Sequence, residues 1–297
     1  MWKELILWGS AGLLLAAGAG FAYLVLRHPE TAPASGLKIE STPARLARGK
    51  HIFEHVADCE GCHSQRDYTR LGGPPLPSMR GAGQEFPDEL GLPGHIVARN
   101  ITLDKETGIG NWTDGEIIRA VREGVSRDGS TMFPFMPYEY YRHMSDEDVH
   151  SLVAYLRALP PVNHRVPRSS VRFPVNLLMK SAPKPVGSMP EPDKSDKLKY
   201  GEYLVTLGTC VVCHTKLVDG NPTEGLHFAG GEEFFIGKFD QYKEYFEKGS
   251  PVVGRAYFTL MPWLQLSQLP REELSAIYAY LRAQPAIVNK VETHPEK

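Results

Sequence analysis

The sequence lacks an excess of charge of either sign. Its 297 residues include 33 lysines and arginines against 35 aspartates and glutamates, for a net charge of −2. A nucleic-acid-binding protein would need a strongly basic surface, so this balance argues against a nucleic acid partner. With 42% hydrophobic residues and a length sufficient for two domains, the composition indicates two soluble globular domains.

Cysteine is absent outside two short pairs, Cys59 with Cys62 and Cys210 with Cys213. A structural zinc site needs four ligands at compact spacing, and no further cysteine is present to complete one. A thioredoxin-like redox pair would lie in a βαβ pattern, which surrounds neither pair. Disulfides within the pairs would leave unexplained the histidine that follows each of them.

Each pair is followed at once by a histidine, so that residues 59–63 read CEGCH and residues 210–214 read CVVCH. This C-x-x-C-H pattern is the attachment signature of c-type haem. One helical turn brings both thiols to the vinyl groups of one porphyrin, and the adjacent imidazole reaches the iron. The sequence therefore predicts two covalently attached haem c groups, with His63 and His214 as proximal iron ligands.

Two methionines are candidates for the sixth iron ligand, because a methionine opposite histidine gives an electron-transfer site of raised potential. Met136 and Met261 each stand in a Met-Pro-aromatic loop, 125 residues apart, and Tyr155 and Tyr280 in the following helices share that offset. A common offset indicates a repeated structural unit. The alternative for any methionine beside aromatics is core packing. The register favours these two over Met132 and Met144.

The fold is predicted to be mostly α-helical with long loops, since few segments alternate as strands do. Helices are expected at 44–56, 199–207, from Ser145 to Pro160 and after Pro270. Gly49 and Gly201 lie inside the first two, where glycine costs about 1 kcal/mol, so we expect close packing against the C-terminal helix of the same unit. The expected contact face comprises Val153, Leu156 and Leu159 in one copy and Ile277, Tyr280 and Leu281 in the other.

The first unit holds 26 more residues than the second between its histidine and its methionine, because the two offsets are 151 and 125. We place the insertion in an irregular loop around Gly81 to Trp112, which lines an edge of the haem site.

An uncharged apolar run covers residues 5–26. As a helix it would reach about 33 Å, enough to cross a hydrocarbon core of about 30 Å. We favour a retained anchor that contacts membrane lipid. The alternative is a long signal peptide cut after residues 32–34. Because haem c is attached outside the cytoplasm, we expect a single-pass protein of the inner membrane with residues 1–4 cytoplasmic and both haem domains in the periplasm.

A proline-rich arm separates the two units and carries five basic residues without an acid between Pro160 and Pro190. It should be extended rather than helical. It either wraps the first domain and pairs with haem propionates or anionic lipid, or is a solvated linker. The predicted domain plan is an anchor at 1–26, a linker at 27–41, a first haem domain at 42–163, the arm at 164–196 and a second haem domain with tail at 197–297.

His51 and His55 lie four residues apart, a spacing that could bind a metal. Without a third ligand we favour a solvated helix face. The remaining candidates, His95, His143, His150 and His227, are taken as surface residues and assigned no iron.

Several stretches resemble known cytochromes. Residues 48–63 resemble the opening of class I cytochrome c domains. Residues 100–114, 136–138 and 144–157 are similar to motifs of the multihaem cytochrome c subunits of bacterial membrane-bound alcohol, aldehyde and sugar-acid dehydrogenases. Residues 201–204, 213–215 and 261–263 match more loosely, and the chain contains no third C-x-x-C-H pattern.

This resemblance implies two tandem class I cytochrome c-like domains behind an N-terminal transmembrane helix. It also implies that electrons pass from a dehydrogenase through the haems to quinone or a terminal oxidase. The family's haem-binding positions correspond here to Cys59, Cys62, His63, Met136, Cys210, Cys213, His214 and Met261.

The leading functional hypothesis is an electron-transfer protein without an open iron site, working with a dehydrogenase or a respiratory or photosynthetic complex. The alternative is a dihaem enzyme, a peroxidase or an oxidase of small sulfur or nitrogen compounds, in which one methionine can be displaced. Substrate turnover by the isolated protein would separate the two.

Overall fold

The N-terminal apolar run forms helix α1, Trp2–Leu26. Within it, Ile6–Leu26 is long and apolar enough to cross a membrane by length and composition. The computed structural model describes residues 2–67, 70, 72–87, 90–215, 217–218, 221–222, 227–229 and 262–288. Over these residues the fold is mostly helical, as predicted.

The first unit opens with helix α2, Pro43–His51, which continues as one π-helical turn, Ile52–Val56. The Thr42 hydroxyl caps its start by accepting from the backbone N–H of Arg45. Helix α3, Cys59–His63, follows after two non-helical residues, Ala57 and Asp58. The predicted helix at 44–56 is therefore confirmed, with its last turn widened.

Three further helices complete the first unit: α4, Asp114–Glu123, α5, Tyr138–Tyr141, and α6, Asp146–Leu156. Helix α4 was not predicted, although Thr113 and Glu116 form a reciprocal capping box at its start. Helix α6 begins at the predicted Ser145 cap, whose hydroxyl accepts from the backbone N–H of Asp148.

In its described residues, the loop between α3 and α4 is irregular, as expected, except for a 3₁₀ turn at Pro77–Met79 and three two-residue strands. Strands β1, Gln84–Glu85, and β3, Val97–Ala98, pair antiparallel with each other. Strand β2, Gly94–His95, pairs instead with β4, Ser170–Val171, in the proline-rich arm. The arm is thus tied to the first unit by sheet hydrogen bonds.

The prediction that the arm is extended and not helical is wrong in its middle. Residues Val175–Leu178 form helix α7, which continues as a 3₁₀ turn at Met179–Ser181. The turn forms because no proline interrupts the stretch between Pro174 and Pro183, so every backbone N–H there is available to a helix.

The arm does wrap the first unit. Arg168 pairs with Asp128 at 2.9 Å, and the guanidinium of Arg172 donates to the carbonyl of Leu92. The backbone N–H of Asp146 donates to Met189 near the end of the arm. The side chains of Arg168 and Arg172 are therefore engaged by groups of the first unit.

The second unit repeats this order. Helix α8, Lys197–Leu207, is capped by Asp196 and is followed by α9, Cys210–His214. Strands β5, Leu217–Val218, and β6, Asn221–Pro222, form a short hairpin. Helices α10, Trp263–Leu266, and α11, Arg271–Ala283, follow, so the predicted helices at 199–207 and after Pro270 are confirmed.

Two equivalent glycines allow the long helices of each unit to touch backbone to backbone. A Cβ at Gly49 would overlap the carbonyl oxygen of Ser151 and lie 2.8 Å from the Cβ of Tyr155. A Cβ at Gly201 would overlap the carbonyl oxygen of Ala276 and lie 2.8 Å from the Cβ of Tyr280. The predicted close approach to the C-terminal helix is confirmed in both units.

The residues of the predicted contact faces are buried or partly buried except at one position. Val153, Leu156 and Leu159 are buried, and Ile277 packs against the core. Leu281 is 40% exposed, so its assignment to the face was wrong. Successive side chains on an α-helix are rotated by about 100°, so Leu281 does not lie on the face that Tyr280 occupies.

The two units share one hydrophobic core. A single buried cluster joins residues of the π-helical turn, α4 and α6 to residues of α8 and α11. Burying a large aliphatic side chain contributes roughly 1.5–3 kcal/mol, so each unit relies on the other for part of its stability. Members from the first unit include Ile52, Phe53 and Leu152, and members from the second include Leu204, Leu207 and Ala276.

We predict that Gly49→Ala lowers the free energy of unfolding by roughly 1–3 kcal/mol, because the added methyl overpacks the α2–α6 crossing. In an open helix the same change would stabilise by about 1 kcal/mol. The measurement is denaturant unfolding of the detergent-solubilised protein. Gly187→Ala is the control, since nothing lies within 4 Å of its Cβ position. Stabilisation by Gly49→Ala would refute the tight crossing.

Candidate functional site

The two C-x-x-C-H segments adopt the same local geometry. Asp58 before α3 and Thr209 before α9 are both left-handed, with φ of 43° and 52°. The residue after each helix is extended, with φ of −128° at Ser64 and −129° at Thr215. In both segments the chain therefore changes direction at a left-handed residue before the single helical turn and at an extended residue after it.

The thiols of each segment lie on one helical turn with the imidazole next to them. Cys59 and Cys210 are half-buried, whereas Cys62 and Cys213 are exposed. Burial raises the pKa of the Cys59 thiol. Two thiols three residues apart, with a neighbouring histidine, fit covalent attachment of one haem, so both donor sets suit the group that the sequence predicts.

The His63 imidazole is held in one orientation by the backbone. Its Nδ1 donates to the carbonyl oxygen of Arg99 at 2.7 Å. Its Nε2 has no hydrogen-bonding partner among the described residues, so that nitrogen is available to a metal. Burial lowers the pKa of His63, which favours the neutral form that ligates iron.

A buried hydrogen-bonded loop holds the Arg99 carbonyl in place. The Asn100 amide donates to the Thr107 hydroxyl at 3.0 Å and to the Val162 carbonyl at 2.8 Å. The side-chain Oδ1 of Asn100 accepts a hydrogen bond from the Thr102 hydroxyl at 2.7 Å. The motif at 100–110, which carries part of the family resemblance, thus acts through Arg99 on the orientation of His63.

The candidate methionine of the first unit lies at the edge of the shared core. Met136 is half-buried in a turn, where its backbone N–H donates to Phe133, and it packs against the same cluster as Cys59. Met144 is fully buried within that cluster and fits core packing. Met261 lies outside the described residues. Iron ligation by either candidate stays a prediction.

The second unit differs around its histidine. No hydrogen-bonding partner of His214 is found among the described residues. The following Thr215 is buried, and its hydroxyl accepts from the backbone N–H of Phe228. The second unit also lacks the Asn-Ile-Thr motif that orients His63.

The leading ends of the two C-x-x-C-H segments meet. Gly208 stands two residues before Cys210, and Val56 stands three residues before Cys59. A Cβ at Gly208 would lie 3.6 Å from the carbonyl oxygen of Val56 and 3.3 Å from the Sγ of Cys210. The structure therefore brings the two segments together, although 151 residues separate their cysteines.

A polar cluster joins the units with approximate two-fold symmetry, and we call it the junction. It consists of Arg48, His51, Asp148, Tyr200, Tyr203 and Glu273. The two acids are equivalent in the repeat, 125 residues apart, and Tyr200 and Tyr203 follow Arg48 and His51 by 152 residues.

Each acid of the junction is hydrogen-bonded both by its own unit and by the other. Asp148 accepts from Arg48 of its own unit and, at 2.7 Å, from Tyr203 across the junction. Glu273 accepts from Tyr200 of its own unit at 2.8 Å, and His51 lies 2.7 Å away across the junction. Such reciprocal contacts are typical of an interface between two copies of one unit.

The interpretation of His51 as part of a solvated helix face is therefore wrong. Its side chain is largely enclosed between the units, where it faces the carboxylate of Glu273. His55 contacts His51 ring to ring at 5.5 Å. No cluster of three or more potential metal-binding side chains exists in the part of the chain that the structure describes.

The junction charges compensate one another. Burial alone would raise the pKa of Glu273, but His51, Tyr200 and Arg48 outweigh it and lower that pKa below its ordinary value. Burial opposes the charge of Arg48, yet Asp148 raises the pKa of the guanidinium above its ordinary value. Arg48 also bridges to Glu273 at 3.0 Å, so one cation serves both acids.

Comparison with known proteins identifies cytochromes. A dihaem cytochrome c-type protein of Cereibacter sphaeroides is 30% identical, over 94% of this chain and 98% of its own length. The cytochrome c subunit of a quinone-dependent alcohol dehydrogenase of Gluconacetobacter polyoxogenes is 31% identical over 74% of this chain. One chain of the nicotinate dehydrogenase of Pseudomonas putida is 32% identical over 75%.

The chain spans only 47% of that alcohol dehydrogenase subunit and 19% of the nicotinate dehydrogenase chain. No family model matches the chain. The relatives confirm the resemblance found in the motifs. The names of the dihaem protein and the alcohol dehydrogenase subunit describe cytochromes and not catalytic chains, which confirms the prediction of an electron-transfer protein.

We predict that Glu273→Gln lowers the free energy of unfolding by roughly 3–5 kcal/mol at pH 7, because it leaves Arg48 and His51 without their shared carboxylate. A carboxyl with a lowered pKa stabilises the fold above its unfolded pKa, and this is lost as pH falls through the folded pKa. The difference in unfolding free energy between Glu273→Gln and the unaltered protein should therefore shrink as the pH falls below the ordinary pKa of a glutamate.

Unfolding of both proteins at several pH values measures this effect. Glu272→Gln is the matched control, since Glu272 precedes Glu273 on α11 but is exposed. Equal losses from the two variants would contradict the compensating role of the junction.

Proposed function

Because the chain belongs to the multihaem c-type cytochromes, the family of its dihaem and dehydrogenase-subunit relatives, we propose that it is a membrane-anchored dihaem electron carrier. Helix α1 spans the inner membrane, and both haem sites lie on its periplasmic side. Cys59, Cys62 and His63 hold one haem, and the equivalent residues of the second motif, Cys210, Cys213 and His214, hold the other.

One observation carries this proposal: the two C-x-x-C-H segments have the same geometry and their leading ends are in contact. Each bound haem would supply an iron that accepts and releases one electron. In the first unit, Cys59 and Met136 pack against the shared apolar core, so a haem held there would border it. A methionine as sixth ligand, Met136 in the first unit and Met261 in the second, leaves no open coordination site and raises the potential.

The partners we propose follow from the relatives. The names of several relatives describe cytochrome subunits of dehydrogenases that act on alcohol, fructose and gluconate. By analogy, a dehydrogenase donates electrons to this chain, and a respiratory component accepts them. The shared core supports a relay, since both sites belong to one folded unit and not to two freely moving domains.

We predict two low-spin His/Met signals per chain in low-temperature EPR of the oxidised protein, with haem quantified in the same sample. Met136→Ala should convert one signal to high-spin and leave the other, because a methyl side chain cannot ligate iron. Met132→Ala, in the same loop, is the control and should keep both signals.

Two outcomes would count against this assignment. If Met136→Ala leaves both signals unchanged, Met136 is not a ligand. A high-spin signal in the unaltered protein would favour the dihaem-enzyme alternative, since it reports an open iron site.

A further inference from the structure

A short segment of the arm lies at the level where α1 ends. The ammonium of Lys180 is 2.7 Å from the carbonyl oxygen of Val25, the second-last residue of α1. The guanidinium of Arg27 donates to the carbonyls of Leu177 and Leu178 at 3.0 and 2.8 Å. If α1 crosses a membrane, these three hydrogen bonds hold residues 173–181 at the membrane surface.

This segment exposes apolar side chains where a water-facing loop would expose polar ones. Phe173 is 68% exposed and Leu178 is 51% exposed. The arm contains basic residues but no acid between Pro160 and Pro190. Exposed apolar side chains beside basic ones are typical of segments that lie in the boundary between lipid headgroups and acyl chains.

Beside the segment is a cavity of ≈200 Å³, lined by residues 27–29, which follow α1, by the loop at 129–131, and by α7 and its 3₁₀ turn. Three polar atoms in its lining residues are buried without a hydrogen-bond partner: the Nε of Arg27, the hydroxyl of Thr131 and the Oδ1 of Asn176. Buried polar groups are rarely left unpaired, so these atoms are candidates to pair with a polar group bound beside them. His28 and Lys180 also line the cavity, and no acid does.

We propose that this cavity binds the headgroup of a phospholipid and that Phe173 and Leu178 insert among the neighbouring acyl chains. The proposal rests on the membrane-spanning role of α1. The phosphate accepts hydrogen bonds from Arg27 and Thr131, in a setting where Lys180 adds positive charge. An ethanolamine or glycerol headgroup brings a donor of its own, which suits the Oδ1 of Asn176.

Position and size favour a lipid over a soluble ligand. The cavity is smaller than the roughly 300–1,000 Å³ of ordinary small-molecule sites, so it suits a headgroup better than a larger metabolite. Arg27 lines the cavity and directly follows α1, so a headgroup bound there keeps its acyl chains in line with the helix. The site also explains why an arm that joins two haem units touches the foot of α1.

The first experiment is photocrosslinking of the full haem-loaded chain in vesicles of phosphatidylethanolamine and phosphatidylglycerol. The photoreactive residue p-benzoylphenylalanine replaces Phe173, Phe21 or Tyr278, one at a time. Phe21 lies in α1, and Tyr278 is the matched control, being 66% exposed on α11 of the second unit. Phospholipid adducts are detected by mass spectrometry of the peptides.

We expect lipid adducts at positions 173 and 21 and none at 278. Adducts at 21 alone would overturn this inference and leave the anchor intact. The absence of adducts at both 21 and 173 would overturn the anchor as well. Adducts at all three positions would mean that labelling follows exposure alone, which also overturns the inference.

The second experiment tests the cavity by native mass spectrometry of the delipidated protein in detergent, mixed with phosphatidylglycerol or with inorganic phosphate. Thr131→Val removes one donor to the headgroup and should weaken lipid binding roughly ten-fold. Thr206→Val, on α8 of the second unit, should bind as the unaltered protein does. Unchanged binding by Thr131→Val, or equal binding of inorganic phosphate, would overturn the headgroup site.

Discussion

The buried junction is the constraint on which the arrangement of the candidate haem sites depends. Arg48, Asp148 and Glu273 are charged groups withdrawn from water, and burying them is unfavourable unless each is compensated. In the observed arrangement of the two units, each acid is bonded from both sides at once. The junction thus fixes how the units face each other, and the contact between Val56 and Gly208 follows from it.

Glycine makes that arrangement possible, because Gly49 and Gly201 bring the helices of each unit into backbone contact and present the junction side chains from equivalent positions. The repeat is nevertheless unequal where it would bind iron. The first unit orients His63 through the Arg99 carbonyl and the Asn100 loop, and the second lacks that motif. Different support for the two histidines would give two bound haems different potentials, since hydrogen bonds to a ligating histidine alter its basicity.

Local patterns in the sequence predicted much of this structure. The C-x-x-C-H segments form single helical turns, because that geometry depends on neighbouring residues alone. The two mid-helix glycines mark the crossings, because glycine inside a helix is unfavourable unless another helix packs closely against it. The capping box before Asp114 was an available local signal for α4 that the sequence analysis missed. In the arm, the high overall proline content led to a prediction of extended structure, although the stretch that forms α7 contains no proline.

The junction could not be predicted in the same way. His51 was interpreted as solvated because its partner, Glu273, is 222 residues away, and Arg48 reaches the same acid over 225 residues. Such contacts are set by the packing of whole units and leave no periodic trace. The alignment of the two repeats, with offsets of 152 and 125, was the one signal that could have paired these positions.

The most direct test of this account is the rate of electron transfer between the two haems after rapid photoreduction of a fraction of the protein. If the junction holds the two sites in one fixed unit, the electron redistributes between the haems at a rate independent of protein concentration. A rate that rises in proportion to concentration would mean that electrons pass between molecules and not across the junction, and would contradict the account.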